Sequence, residues 1–174
     1  ATGSGKTEVF LQLARSVMNR GKQVLILVPE ISLTPQMVKR VTARFGSHVA
    51  IYHSGLNAQE KYEQYQLVRR HQVQIVVGTR SAVFMPFDNL GVIIMDEEHD
   101  TSYKQDSAPR YHCRDIAIKR GAFHQAPVVL ASATPSLETY ARAVKGVYRL
   151  IAMPSRINGS FPHVKLVEMR KAVG

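Results

Sequence analysis

Short runs of consecutive apolar residues alternate along this chain with longer stretches in which apolar positions recur every three or four residues. The first stripe is Val9, Phe10, Leu13, Ala14 and Val17, which predicts a helix over residues 8–20, stopped by Gly21. Residues 23–28 are almost wholly apolar and predict a strand covered on both faces, as in a parallel sheet. Thr34 then supplies a cap and Pro35 a first turn for a helix that runs to Phe45 and ends at Gly46. A strand over 49–52 precedes a capping box from Asn57 to Glu60 and a helix to about Arg70. Further strands are predicted over 73–77, 92–95 and 128–131, with a helix over 115–123 before the last of them. Ser136 is positioned to cap a helix to about Val144, and residues 147–151 and 164–167 read as additional strands at an edge.

Strand and helix alternate with short connections. The fold class expected is therefore α/β, a doubly wound, mostly parallel sheet with helices on both faces. Ligands in such folds sit beyond the carboxyl ends of the strands. The turn-rich stretch 153–162 reads as an exit linker, so the expected organisation is one lobe over 1–152, followed by linker and edge strand over 153–174.

Charge narrows the choice of partner. The 174 residues carry a formal net charge of +10, unevenly spread. Residues 1–100 hold eleven Lys/Arg against nine Asp/Glu, and residues 101–174 hold twelve against four. An excess of this kind favours a polyanion, nucleic acid before acidic lipid. The single cysteine, Cys113, excludes an intrachain disulfide framework, points to a reducing compartment and reads as a structural residue. The seven histidines lack metal-ligand spacing, and no apolar run reaches the length of a membrane span.

Three polar stretches carry chemistry. Gly3-Ser4-Gly5-Lys6-Thr7 opens the first helix. Its glycines let main-chain N–H groups converge, Lys6 reaches outer phosphates, and Thr7 offers a hydroxyl to Mg²⁺. In the pattern G-x-x-x-x-G-K-[ST] the first Gly would fall one place before Ala1, so the strand feeding the loop is expected to precede the chain, with residues 1–5 poorly anchored and ATP binding by the chain alone weak. Asp96-Glu97-Glu98-His99 follows an apolar strand. Asp96 suits Mg²⁺, Glu97 suits a general base, and Glu98 and His99 lie where they can sense nucleotide state or meet the next motif. That motif is Ser132-Ala133-Thr134-Pro135, whose hydroxyls at Ser132 and Thr134 could couple the site to movement. Between them, residues 103–112 interleave Tyr103 and Tyr111, as platforms for bases, with Lys104 and Arg110, as contacts for phosphates.

In order, these three stretches resemble motifs I, II and III of superfamily two helicases. More narrowly, Val28-Pro29-Glu30-Ile31-Ser32-Leu33-Thr34-Pro35-Gln36, His53-Ser54-Gly55-Leu56, Gly78-Thr79-Arg80-Ser81-Ala82 and Asp96-Glu97-Glu98-His99-Asp100 followed by Ser102-Tyr103-Lys104-Gln105 resemble the PriA family of bacterial primosomal helicases. The resemblance covers nearly the whole chain and identifies residues 1–152 with the first RecA-like motor lobe. It implies an ATP-driven helicase, moving 3′ to 5′ at stalled forks, with ATP and Mg²⁺ as cofactors. Gly3, Ser4, Gly5, Lys6 and Thr7 would hold the phosphates and Mg²⁺, Asp96 the metal and Glu97 the water. Thr34, Pro35, Thr79 and Arg80 would lie on the face touching the DNA backbone. The family also implies zinc in the intact protein, though not in these residues. Its partners would be single-stranded and forked DNA, replication-restart proteins and single-strand-binding protein, in the bacterial cytoplasm and with no membrane. A second lobe would supply an arginine finger, so little turnover is expected of this chain alone. Two alternatives stand beside this reading. One is another superfamily two translocase, RecG-like or restriction-type, which would differ over residues 96–105. The other is a non-catalytic nucleic-acid-binding module, against which Lys6, Thr7, Asp96 and Glu97 argue.

Overall fold

The computed structural model describes residues 5–132, 148–152 and 165–169. Gly3, Ser4, Thr134, the helix expected after Ser136 and the linker over 153–162 lie outside the described residues, as does the side chain of Ser132.

Four helices and one large sheet account for most of what is described. The helices are α1 (Gly5–Asn19), α2 (Pro35–Phe45), α3 (Ala58–Arg69) and α4 (Cys113–His124). The strands are β1 (Gln23–Leu27), β2 (Val49–Tyr52), β3 (Ile75–Gly78), β4 (Leu90–Asp96), β7 (Val128–Ser132), β8 (Tyr148–Ala152) and β9 (Lys165–Met169); β5 (Lys104–Gln105) and β6 (Tyr111–His112) form a separate small hairpin. The sheet order is β2-β3-β1-β4-β7-β9-β8. The first five of these strands are mutually parallel.

Consecutive strand residues point to opposite faces, so apolar runs buried throughout require cover on both sides. That is what β1 and β4 show, each buried at every position. Val24, Ile26, Val92 and Ile94 pack with Phe10, Leu11 and Val17 of α1 and with Val41 and Phe45 of α2. Leu25, Leu27, Ile93 and Met95 pack on the other face with Val68 of α3 and with Cys113 and Ala117 of α4. Each fully buried Leu, Ile or Phe contributes roughly 1.5–3 kcal/mol of transfer free energy, so the doubly covered sheet is the main source of stability.

Local signals set most helix ends. The Thr34 hydroxyl accepts from Met37 N at 3.1 Å, with Pro35 in the first turn. Asn57 and Glu60 exchange side-chain-to-main-chain bonds of 2.8 Å in each direction. α4 begins two residues earlier than its pattern predicts, because the His112 ring nitrogen Nδ1 accepts from Arg114 N at 3.0 Å and serves as an unconventional cap.

The sheet continues past residue 152, the boundary expected from the sequence. β9 is no edge strand: it is antiparallel to β7 on one side and to β8 on the other, so β8 takes the edge and the sheet runs across the boundary.

Because β2, β3, β1, β4 and β7 are parallel, their carboxyl ends fall along one rim. The segments that leave this rim begin at Val28, His53, Thr79 and Glu97, where the polar motifs lie. Gly78 is required at this rim, since a Cβ there would meet the Tyr52 carbonyl and the Ala82 side chain.

Candidate nucleotide site

The first turn of α1 carries Lys6 and Thr7 into a cleft of about 610 Å³, whose walls include Thr34, Arg40, Asp96 and Glu97. A helix N-terminus opening on a cleft presents unpaired N–H groups and the positive end of the helix dipole, a setting that favours phosphate.

Lys6 and the two carboxylates form one unit. Lys6 Nζ donates to Glu97 Oε2 at 2.6 Å and lies 2.8 Å from Asp96 Oδ1. Lys6 is only 5% exposed and Asp96 only 7%. Burial pushes the Lys6 ammonium down, but Asp96 and Glu97 together outweigh it and hold it above its ordinary value. Burial pushes Asp96 up and the charge of Glu97 adds to the rise, while Lys6 and a main-chain hydrogen bond from Glu97 pull it down; the balance lies above the ordinary value. The Lys6–Asp96 contact is close as an ion pair but lies outside hydrogen-bond geometry, so the buried Oδ1 has no aligned donor. A buried carboxylate beside Lys6, facing a cleft that Thr7 also lines, is a donor set that fits a hard divalent cation such as Mg²⁺.

Backbone geometry aims these groups. Asp96 is the last residue of β4, and Glu97 then takes φ 49°, in the left-handed region. Non-glycine residues adopt this conformation rarely, and it concentrates at functional sites. The turn is closed by Asp100 N donating to Glu97 O at 2.9 Å. It sends the next two side chains in different directions. His99 lines the cleft, its Nδ1 3.9 Å from Glu97 Oε1. Glu98 turns inward, has no exposed surface, and pairs with Arg114 of α4 at 3.3 Å.

A profile of the DEAD/DEAH box helicases matches residues 1–143. The chain belongs to the DEAD/DEAH box helicase family. It is 57% identical over 98% of its length to replication restart protein PriA of Bacillus subtilis, and 49% identical over 97% to that of Synechocystis sp.. It spans 21% of each, about a fifth of the length of these curated relatives. Among solved structures it is similar to RecG bound to a three-way DNA junction, with a TM-score of 0.56, 26% identity, and coverage of 83% of this chain and 18% of that one. The sheet and its helices are thus those of a helicase motor lobe.

Within this helicase lobe, the residues expected on the nucleic-acid face divide into several environments. Thr34 lines the cleft beside Lys6, and Pro35 lies on an adjoining groove with Leu33, Val38 and Thr42. Thr79 is only 3% exposed and lines a small pocket of about 230 Å³ with Glu30, His53 and Ser54, so it is recessed and does not lie on an open face. Arg80 turns its guanidinium onto the Ser102 and Lys104 carbonyls at 3.4 and 3.3 Å.

Tyr103 requires the clearest correction. It has no exposed surface and offers no ring face to a base. Its hydroxyl donates to the Asp96 carbonyl at 2.5 Å, and burial, with Asp96 nearby, pushes the phenol well above its ordinary value, so it remains a donor. The physical reason is packing: the 3₁₀ turn Thr101–Tyr103 folds under β4 and inserts the ring into the core formed with α3 and α4. Tyr111 is half-buried, edge-on to Phe84 with ring centroids 5.1 Å apart. Lys104 and Arg110 remain exposed on the β5–β6 hairpin.

Four arginines that the sequence does not single out hold this site's surroundings. Arg114 pairs with Glu98. Arg120 donates to the carbonyls of Val83 at 2.9 Å and Phe87 at 3.1 Å and also to that of Met85. Arg44, with Arg40, ties α2 to Glu8 of α1, at 2.7 and 3.2 Å respectively. Their only sequence signal was position, basic residues in or next to predicted helices.

Proposed function

We propose that this chain is the ATP-binding motor lobe of a replication-restart DNA helicase, which in the intact protein couples ATP hydrolysis to 3′-to-5′ translocation and unwinding at stalled forks. The observation that carries this reading is Lys6 bridging Asp96 and Glu97 at the mouth of an α1 N-terminus. The PriA relatives, named as replication restart proteins, supply the biological setting. The alternative, a RecG-like translocase, draws on the weaker 26% identity.

In this reading the main-chain N–H groups around Gly3, Ser4 and Gly5 cradle the phosphates, and Lys6 exchanges its carboxylate partners for phosphate oxygens. Thr7 and Asp96 would hold Mg²⁺, which would supply positive charge against those oxygens. Glu97, released from Lys6, accepts the proton of the attacking water. His99, beside Glu97 at the cleft wall, Ser132 at the end of β7, and Thr134 report the state of the nucleotide to the rest of the motor. Lys104 and Arg110 contact nucleic-acid phosphates, with Thr34, Pro35, Arg80 and the exposed part of Tyr111 contributing; the recessed Thr79 makes no such contact. The intact protein acts in the bacterial cytoplasm on single-stranded and forked DNA. It works with other replication-restart proteins and single-strand-binding protein, and the zinc of the intact protein is held by residues other than these. Among the described residues no helix is long and apolar enough to cross a membrane.

Titration of the full-length protein with a fluorescent Mg·ADP analogue tests the site. Lys6→Ala is expected to weaken binding at least tenfold, about 1.4 kcal/mol or more. Unchanged affinity would remove Lys6 from the nucleotide site.

A further inference from the structure

Helix α4 meets the carboxylate turn at one end and residues 80–87 at the other. At its N-terminal end, Arg114 Nη1 lies 3.3 Å from Glu98 Oε2, with the Glu98 side chain wholly buried and that of Arg114 one-tenth exposed. Glu98 is also held through its main chain, its N–H donating to Ala131 O of β7 at 3.1 Å. Along the same helix, Arg120 clasps the carbonyls of Val83, Met85 and Phe87, and the Cys113 thiol sits 3.6 Å from Arg80 O.

Glu97 stands between Asp96, fixed in the sheet, and Glu98, fixed by β7 and α4. Its left-handed φ of 49° is an uncommon conformation that persists only where the neighbours over-determine it. A buried carboxylate one residue further on supplies such a constraint. Removing Arg114 takes away one buried restraint on this turn, and any rotation about the Glu97 backbone that follows shifts the carboxylate relative to Lys6, now 2.6 Å distant.

We propose that Arg114 is a positioning residue for hydrolysis: through its buried pair with Glu98 it fixes the turn that aims the Glu97 carboxylate, and α4, anchored by Arg120 on residues 80–87, fixes Arg114. This rests on the reading of Glu97 as general base. It predicts that Arg114 governs turnover and leaves nucleotide affinity, which Lys6 and Thr7 supply, almost untouched.

The test measures steady-state ATP turnover and Mg·ADP affinity in the full-length protein for Arg114→Gln, Arg114→Lys, Glu98→Gln and the double variant Glu98→Gln/Arg114→Gln, with Glu97→Gln as reference. Arg114→Gln is expected to lower kcat by about ten- to a hundredfold, the scale of a misplaced catalytic group, with Mg·ADP affinity changed by less than about threefold. Arg114→Lys keeps the charge but not the planar fork and should recover part of the loss. Because Arg114 and Glu98 act as one bridge, the double variant should lose no more than the worse single variant. Should Arg114→Gln fail to fold around a buried carboxylate deprived of Arg114, the double variant, which removes both charges, carries the comparison. Wild-type kcat in the folded Arg114 variants, additive losses in the double variant, or a loss confined to nucleotide affinity or melting temperature would each overturn the proposal. Normal turnover by Glu97→Gln would instead overturn the reading beneath it, so the two failures are distinguishable.

Discussion

The Tyr103 hydroxyl donates to the Asp96 main-chain carbonyl across 2.5 Å, and the tyrosine has no surface open to solvent. A residue placed by its sequence among aromatic platforms is therefore a strut behind the carboxylates. Arg80 reinforces it by holding the carbonyls on either side, Ser102 and Lys104. Tyr103→Phe removes one hydroxyl and keeps the ring. We expect a loss of about 1 kcal/mol in stability, the net worth of a typical hydrogen bond, and a fall in kcat with little change in the KM for ATP. Chemical denaturation beside steady-state kinetics checks both. A Tyr103→Phe protein with wild-type stability and wild-type kcat would contradict the strut.

The exposed pair on the hairpin makes a different prediction. Lys104 stands 3.6 Å from Asp106 in an exposed ion pair of little energetic weight, and Arg110 is open to solvent. Replacing both with Ala in the intact protein should weaken single-stranded DNA binding irrespective of sequence. If each makes one phosphate contact, the slope of log K against log salt should flatten by about 1.4. An unchanged slope would leave the hairpin as a simple surface feature.

Glu8 ties α1 to α2 and titrates with a definite sign. Hydrogen bonds from Arg44, then Gln12 and Arg40, hold its carboxyl at about 2, against an ordinary value of 4.5. A depressed folded-state pKa contributes stability that is present above the ordinary value and lost as pH falls through the depressed one. Wild type should therefore exceed Glu8→Gln in stability at pH 6, with the difference shrinking from about pH 4.5 towards pH 2. Glu8 is exposed, so the gap should also narrow in high salt. Thermal melts of the two proteins across this range are the measurement, and a gap that widened on acidification would contradict the assignment.

Cys113 is buried at the start of α4, and burial pushes its thiol up to about 12. At pH 8 it should resist a thiol-specific reagent in the folded chain and react as one equivalent in denaturant. Rapid modification of the native protein would show that the N-terminal end of α4 opens easily.

Much of this architecture was legible because its causes are local. Thr34 with Pro35, and Asn57 with Glu60, fix helix starts by bonds spanning three residues, and such pairs are visible in sequence. The strands could be read because β1 and β4 are buried on both faces and so are apolar without alternation. That Lys6, Asp96 and Glu97 would meet at one rim could be read, because the first opens a helix and the other two come at the end of a strand. What escaped depends on contacts distant in sequence. Whether Tyr103 packs inward or outward is settled by α3 and α4, not by its neighbours. The divergence of Glu98 from His99 follows from the left-handed backbone at Glu97, which no residue type there announces. The His112 cap uses a ring nitrogen where hydroxyl or carboxamide oxygens are the usual signal. The interior place of β9 depends on pairing with two strands at once, which its short apolar run does not specify.

The central claim is that Glu97, held by Lys6 in this structure, becomes the base that activates water. ATP turnover by the full-length protein on single-stranded DNA, wild type beside Glu97→Gln and with Mg·ADP affinity measured in parallel, tests it most directly. The account predicts a loss of about a hundredfold or more in kcat, the scale of a removed general base, with affinity nearly retained. Turnover at the wild-type rate by Glu97→Gln would contradict it.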